Sequence, residues 1–298
     1  MKIKKYAAID IGSNAVRLLI ANVIDKKNSE NPQIKKSSLV RVPIRLGADT
    51  FVTGKISETN KSRMIDAMKA FKLLMNVHGV EKYRACATSA MREATNGQEI
   101  IDEICKQSKV KIEIIDGKTE AEIIFSTDLA ELIQEDKSYL YVDVGGGSTE
   151  FTVFSNGKLI NSKSFKIGTV RLLNKAINKK ELWPEIEKWI KDNTQGMKHM
   201  TLIGTGGNIN KIYKMSGKLP GKSLSYIYLN AHYKFLKQMT YDERITEIDL
   251  NPDRADVIIP ATKIYLNAMK WSGSNKIIVP KIGLSDGIIR TLYQKENS

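Results

Sequence analysis

VDVGGGSTEF, Val142 to Phe151, sets three consecutive glycines between Asp143 on one side and Ser148, Thr149 and Glu150 on the other. A glycine run alone marks only a turn, because glycine adopts backbone conformations closed to other residues. The flanks carry more. SYLYVDV before it and TEFTVFS after it are rich in aromatic and β-branched residues, the composition of paired strands around a tight turn. The same order of features opens the chain. YAAIDIGSNAVRLLIANVI, Tyr6 to Ile24, reads strand, small-residue turn, strand. Matching Asp10 to Asp143 lays Gly12 on Gly145, Ser13 on Gly146, Asn14 on Gly147 and Arg17 on Glu150. The spacing exceeds that of solenoid repeats, so it points to two related domains that face each other across a cleft.

The segments between and after the two hairpins fit that reading. From Ser57 to His78 the pattern predicts a helix with Met64, Met68, Phe71 and Met75 on one face, ending at Gly79. YRACAT predicts a short strand, SAMREA and QEIIDEICKQ helices, VKIEII a strand, and TEAEIIFSTDLAELI one helix. RADVIIPATKIYLNAMK has the apolar spacing of a buried helix. Strands alternating with helices predict an α/β fold. The expected division is 1–124 and 125–298, with the last helix able to pack back on the first domain.

Composition narrows the function. The 298 residues carry no run of 18 apolar residues, and only two cysteines, Cys86 and Cys105. Those features argue against a membrane span and a disulfide framework, and they fit a cytoplasmic protein. Cys86 reads as a small buried residue. The net charge of +14 favours polyanionic partners, or reflects a lysine-rich solvated surface. No RNA-recognition aromatic signature or zinc-finger spacing accompanies it, so no specific nucleic acid is implied.

Turns such as Gly12–Asn14 and Gly145–Gly147 can form nests of N–H groups that bind anions. Asp10 and Asp143, each ending a first strand, would face the same anion and repel it without a bridging cation. Mg2+ is the expected one, with oxygen ligands and retained waters. TLIGTGGNINKIY, from Thr201, adds a third loop, with glycines before a helix beginning near Asn208, where unpaired N–H groups attract phosphate. GKLPGKS, Gly217 to Ser223, resembles a phosphate-binding P-loop but is one residue too short between its glycines. GTGGNIN lacks the third glycine of the dinucleotide fingerprint.

DIGSNAVRLLI, ATSAMREATNG, DVGGGSTEF, GTGGNINKI and RADVIIPA follow in the order seen in the exopolyphosphatase/guanosine pentaphosphate phosphohydrolase (Ppx/GppA) family. The resemblance covers about Lys4 to Leu292 and is to the short two-domain form of that family. It implies two ribonuclease-H-like domains of the actin, sugar-kinase and Hsp70 superfamily. It implies phosphate-binding loops at Gly12, Ser13 and Asn14, at Gly145, Gly146, Gly147 and Ser148, and at Gly206, Gly207 and Asn208. The implied activity is Mg2+-dependent removal of terminal phosphate from inorganic polyphosphate, or of the 5′-terminal phosphate of pppGpp. Members are commonly dimeric, so a homodimer is an expectation of the resemblance alone.

The resemblance also distributes roles. The family's base lies in a G-x-E-E-A pattern; here GKTEAE puts Thr119 at the first acid, leaving Glu120 as the candidate base. Such a glutamate also suits a helix N-terminus. Arg92 is the candidate transition-state cation, its planar fork suited to two phosphoryl oxygens; an ion pair with Glu93 or a cap is the alternative. Arg17 is the second candidate phosphate-binding cation; strand alternation pointing it away from the cleft is the alternative. Asp143 and Glu150 are expected to hold Mg2+ or order the attacking water, with Asp10 acting through a metal-bound water. Ser13, Asn14, Ser148 and Thr149 can donate to phosphate oxygens or cap their own turns. Two other classes share these features: a nucleotide-dependent kinase or ATPase, and a regulator that binds (p)ppGpp or polyphosphate without turnover.

Overall fold

The computed structural model describes residues 2–25, 32–127 and 129–297. It divides into two compact units, one formed by Met1–Asp128 with Ile282–Ser298, the other by Leu129–Lys281.

In the first unit, β1 (Lys2–Ile11), β2 (Val16–Asp25) and β3 (Gln33–Val42) form an antiparallel meander. Beside β1 run β4 (Lys82–Ala87) and β5 (Glu113–Ile114), both parallel, giving the order β3-β2-β1-β4-β5. The helices are α1 (Leu46–Thr53), α2 (Glu58–Val77), α3 (Ser89–Glu93), α4 (Gly97–Ser108) and α5 (Gly117–Phe125). Met64, Met68, Phe71 and Met75 of α2 are all buried, as their spacing predicts, and join the core under β1 and β2. Ser57 starts α2 by accepting a bond from the N–H of Asn60, a cap worth about 1 kcal/mol. Gly79, at φ 67°, turns the chain after it.

The second unit opens with α6 (Leu129–Leu132) and holds β6 (Ser138–Val144), β7 (Thr149–Ser155), β8 (Lys158–Phe165), β9 (Thr201–Thr205), β10 (Leu224–Ser225) and β11 (Lys276–Ile278). Its sheet runs β10-β11-β9-β6-β7-β8. Counted from β6, the order β8-β7-β6-β9-β11 and its strand directions repeat those of the first sheet, with β10 added antiparallel at the edge. Around it lie α7 (Thr169–Leu173), α8 (Lys179–Thr194), α9 (Gly207–Met215), α10 (Tyr226–Gln238), α11 (Tyr241–Thr246), α12 (Pro252–Ala255) and α13 (Ile258–Trp271).

The repeat extends to an irregularity. The pairing of β2 with β3 slips between Ile20 and Ala21, and that of β7 with β8 between Val153 and Phe154. When Asp10 is laid on Asp143, these two slips coincide. A β-bulge leaves one residue unpaired and is a feature specified by the sequence, so its recurrence marks both units as copies of one design.

The chain ends in α14 (Leu284–Asn297), which packs on β1, β2, β4 and α5 of the first unit. Glu296 accepts from the Tyr6 hydroxyl and pairs with Lys4 Nζ at 2.7 Å and Lys82 Nζ at 3.6 Å. Tyr293 donates to Asp25 at 2.7 Å, and Lys36 meets Asp286 at 2.7 Å.

Three expected elements differ. The stretch RADVIIPATKIYLNAMK is not one helix, since α12 ends at Ala255 and α13 begins at Ile258. Of VKIEII only Glu113 and Ile114 pair as a strand. The helix expected over TEAEIIFSTDLAELI stops at Phe125, because Ser126 Oγ and Thr127 Oγ1 bond back to the carbonyls of Ile123 and Ile124 at 2.7 and 2.6 Å. Such hydroxyls compete with the helix ladder and end it here. Among the described residues no helix is long and apolar enough to cross a membrane.

Candidate active site

Each unit presents a hairpin turn with an acid at the end of its first strand, and the register fixes what stands opposite. In the first unit Asp10 pairs across the strands with Arg17, whose Nη1 donates to Asp10 Oδ2 at 3.0 Å. Asp10 is buried. Burial pushes its carboxyl above the usual value, and the Arg17 guanidinium offsets part of that rise. Gly12 closes the turn by donating to the Ala15 carbonyl at 3.1 Å. The carbonyls of Ser13 and Asn14 accept from the N–H groups of Gly47 and Arg45 at 2.8 and 3.0 Å.

Ser13 leads to the other named residues of this unit. Its hydroxyl bonds that of Ser89, at the start of α3, at 2.9 Å. Arg92, in the same helix, donates from Nη1 to the Ile115 carbonyl at 2.6 Å. Ile115 immediately precedes Asp116, which caps α5 by accepting from the N–H of Thr119 at 2.7 Å. Glu120 lies in the first turn of that helix and is buried. The Thr119 N–H holds the Asp116 carboxyl below its usual value, with Arg92 adding to the effect. Arg92 is thus tied to the segment that carries Glu120. Thr119, which replaces an acid in the family pattern, serves through its backbone as the donor to the cap.

In the second unit Asp143 pairs across the strands with Glu150. Where the first hairpin sets a cation opposite its aspartate, this one sets a second acid. Directly opposed side chains sit about 4.5–5.5 Å apart at Cβ, and like charges there repel. Glu150 is 3% exposed, and Ser164 on β8 donates to its Oε1 at 2.9 Å. Gly145 closes its turn on the Ser148 carbonyl at 3.0 Å, the same bond that Gly12 makes to Ala15. Thr149 does not face the turn through its hydroxyl, which donates to the Ile167 carbonyl at 2.5 Å.

The third loop lies beside this hairpin. Gly206 has φ 117°, a conformation that L residues rarely adopt, and it caps α9, which begins at Gly207, one residue ahead of the expected Asn208. A Cβ on Gly206 would sit 3.0 Å from the Val144 carbonyl and 3.6 Å from Asp143 Oδ1. Arg254 holds the first turn of α9, donating from Nη1 to the Gly207 carbonyl at 3.1 Å. Beneath, Tyr141 OH bonds Thr205 Oγ1 at 2.7 Å, and Tyr265 OH donates to the Thr205 carbonyl. Burial, then the charge of Asp143, pushes both tyrosine hydroxyls well above their usual values. The second unit therefore gathers Asp143, Glu150, Gly145–Ser148 and Gly206–Asn208.

The donor set can be tested against a divalent cation. Asp143, Glu150 and the Ser164 hydroxyl offer only oxygen, which suits Mg2+ and not a thiophilic metal. No group of three or more His, Cys, Asp and Glu side chains fit to hold a metal occurs among the described residues. Mg2+ commonly uses one or two carboxylates and takes its remaining ligands from water and substrate phosphate, so the residues present fit it. Asp10 is instead engaged by Arg17. Cys86, opposite Asp10 on β4, is a fully buried thiol pushed up to about 12 mainly by burial, the inert residue the sequence implies.

Ser89, Ser164, Tyr141, Tyr265 and Arg254 touch these groups without being singled out by sequence reasoning. Each reaches the site through tertiary packing. Only Ser89 and Arg254 lie inside stretches whose order identifies the family.

The profile of the Ppx/GppA phosphatase family matches residues 23–296. A bifunctional 3-dehydroquinate synthase/phosphatase of Fusobacterium nucleatum is 31% identical over 298 aligned residues, covering 92% of this chain and 44% of the relative. The chain thus spans less than half the length of that protein. Exopolyphosphatase 2 of Mycobacterium tuberculosis is 25% identical, covering 98% of this chain and 99% of the relative. Among solved structures, an Aquifex aeolicus Ppx/GppA family member superposes with TM-score 0.79 at 26% identity, covering both chains fully. An exopolyphosphatase from Cytophaga hutchinsonii superposes with TM-score 0.81 at 25% identity, covering 98% of each. The expected actin-like α/β class is therefore the fold observed, and the chain belongs to the Ppx/GppA phosphatase family.

Proposed function

We propose that this chain is a phosphoanhydride hydrolase that releases terminal phosphate from inorganic polyphosphate, and that pppGpp, cleaved to ppGpp, is open to the same chemistry. The observation that carries the reading is the acid pair Asp143–Glu150 under the glycine turn Gly145–Ser148, in a member of a phosphatase family. Hydrolysis needs an activated water, a held phosphoryl group and neutralised charge. Glu120 takes the proton of the attacking water. Arg92 grips the equatorial oxygens as charge shifts during displacement. The N–H groups of Gly146, Gly147 and Ser148, with the start of α9 at Gly206–Asn208, hold the phosphate from the backbone side. Mg2+ held by Asp143 and Glu150 would supply charge neutralisation at the phosphoryl oxygens.

The test is phosphate release across polyphosphates of several lengths, pppGpp, ATP and pyrophosphate, with and without EDTA, and with a sugar or acetate as acceptor. Release without acceptor, silenced by EDTA, supports the reading. Transfer only to an acceptor identifies a kinase, and tight binding without release identifies a sensor.

A further inference from the structure

The glycine turn of the second unit is held by a device that involves one particular side chain. Three successive carbonyls point toward the start of α7. Thr169 N–H donates to the Gly145 carbonyl at 3.0 Å, and the N–H groups of Val170 and Arg171 donate to that of Gly146 at 2.8 and 3.3 Å. The Gly147 carbonyl accepts from Arg171 Nε at 2.6 Å. No cis peptide occurs among the described residues, and in a trans peptide the C=O and N–H point in opposite directions. Fixing these three carbonyls therefore turns the N–H groups of Gly146, Gly147 and Ser148 away from α7, as one row of donors.

The first two carbonyls are held by N–H groups that any helix start leaves over. The third is held by a guanidinium, so it depends on the side chain at position 171. Arg171 is buried, where a cation is costly unless its donors are used. The approach also needs Gly168. A Cβ there would lie 2.4 Å from both C and O of Gly146 and 2.5 Å from the Gly147 nitrogen, all backbone atoms that cannot step aside cheaply. In the first unit the corresponding carbonyls of Ser13 and Asn14 are held by backbone N–H groups of Gly47 and Arg45.

We propose that Arg171 is the positioning residue of the phosphate cradle. Its Nε fixes the Gly147–Ser148 peptide so that the Ser148 N–H faces the bound anion, and Gly168 is the position that lets α7 come close enough. This rests on the reading that the Gly145–Ser148 turn binds phosphate, and it adds a residue that acts through the turn and not on the reacting atoms.

The test uses the full 15N-labelled chain titrated with tripolyphosphate, following the amide resonances of Gly146, Gly147 and Ser148, alongside KM and kcat for phosphate release. In the wild type the three amides shift together. In R171M the Ser148 response is lost, and binding and KM weaken by about tenfold, the loss of one oriented donor, while kcat changes less. R171K, which keeps a donor for the Gly147 carbonyl, restores most of the affinity. G168A, with Arg171 intact, loses it as R171M does. An R171M chain with wild-type shifts and KM, differing only in Tm, overturns the proposal. Should R171M not fold, a G168A chain with wild-type affinity and shifts overturns it equally. A wild type whose three amides ignore tripolyphosphate also overturns it. If the wild type shifts at these amides but releases no phosphate, the hydrolase reading fails, and the comparison with R171M still decides the role of Arg171.

Discussion

The two hairpin turns share backbone, closing hydrogen bond and even the β-bulge that follows, yet they differ at one register position. Opposite Asp10 stands Arg17; opposite Asp143 stands Glu150. A buried carboxylate facing a guanidinium is neutralised within the fold, whereas two facing carboxylates make a place suited to a cation. One scaffold has thus been given two electrostatic characters. In the first unit the turn is tied through Ser13 and Ser89 to the helix carrying Arg92. In the second, the turn itself has three glycines and acids beneath. The cross-strand partner of the aspartate, more than the glycine count, separates the two.

The comparison can be broken most severely by making the second hairpin resemble the first. E150R sets a guanidinium opposite Asp143 as Arg17 stands opposite Asp10, and E150Q, which keeps the size of the buried side chain, removes the acid's charge alone. Phosphate release should fall by about a thousandfold, the scale of losing a metal's charge stabilisation. Near-normal release would show that the acid pair is not what distinguishes this turn. E120Q tests the other unit's share: kcat should drop by about a hundredfold or more, with tripolyphosphate binding in calorimetry unchanged. An active E120Q chain would remove Glu120 from the role of base.

Smaller effects probe the ion pair. R17A strands the buried Asp10 charge and should lower stability at pH 7 by about 1 kcal/mol, modest because Arg17 is a third exposed and screened by water. The loss should fade in acid as Asp10 takes up its proton. D10N should act in the opposite direction and by less. Because the folded chain raises the Asp10 value above 3.8, it binds that proton more tightly than the unfolded chain does. Ionised Asp10 therefore lowers stability as pH rises past about 4 toward its folded value. Thermal melts of D10N without divalent metal should run above wild type at pH 7 and converge with it below about pH 4. A gap that widens in acid would contradict the direction of the shift.

Much of this was legible because the central strands bury both faces and the repeat falls on them. β1 and β2 announce themselves as apolar runs, and α2 by its methionine and phenylalanine spacing. β3 and β8 gave no such signal. QIKKSSLVRV and KLINSKSF are edge strands whose residues are largely exposed, so no period-2 alternation is imposed on them. The family motifs mark Asp10, Asp143, Glu150 and the glycine turns, residues set by local backbone. Arg171 and Ser164 escape because their contacts depend on where α7 and β8 come to rest. The signal that could have found Arg171 was Gly168 in KIGTVRLL, a glycine shortly after the β-hairpin and just before a helix.

The most direct measurement is 31P NMR of tripolyphosphate turnover in water enriched in 18O, for wild type and E120Q, with and without Mg2+. Wild type with Mg2+ should produce orthophosphate from the chain end, carrying one solvent-derived 18O at the released phosphorus. E120Q, and wild type in EDTA, should leave the substrate intact. Label in the remaining pyrophosphate, or release that persists unchanged in E120Q, would contradict attack by a Glu120-activated water on the terminal phosphoryl group.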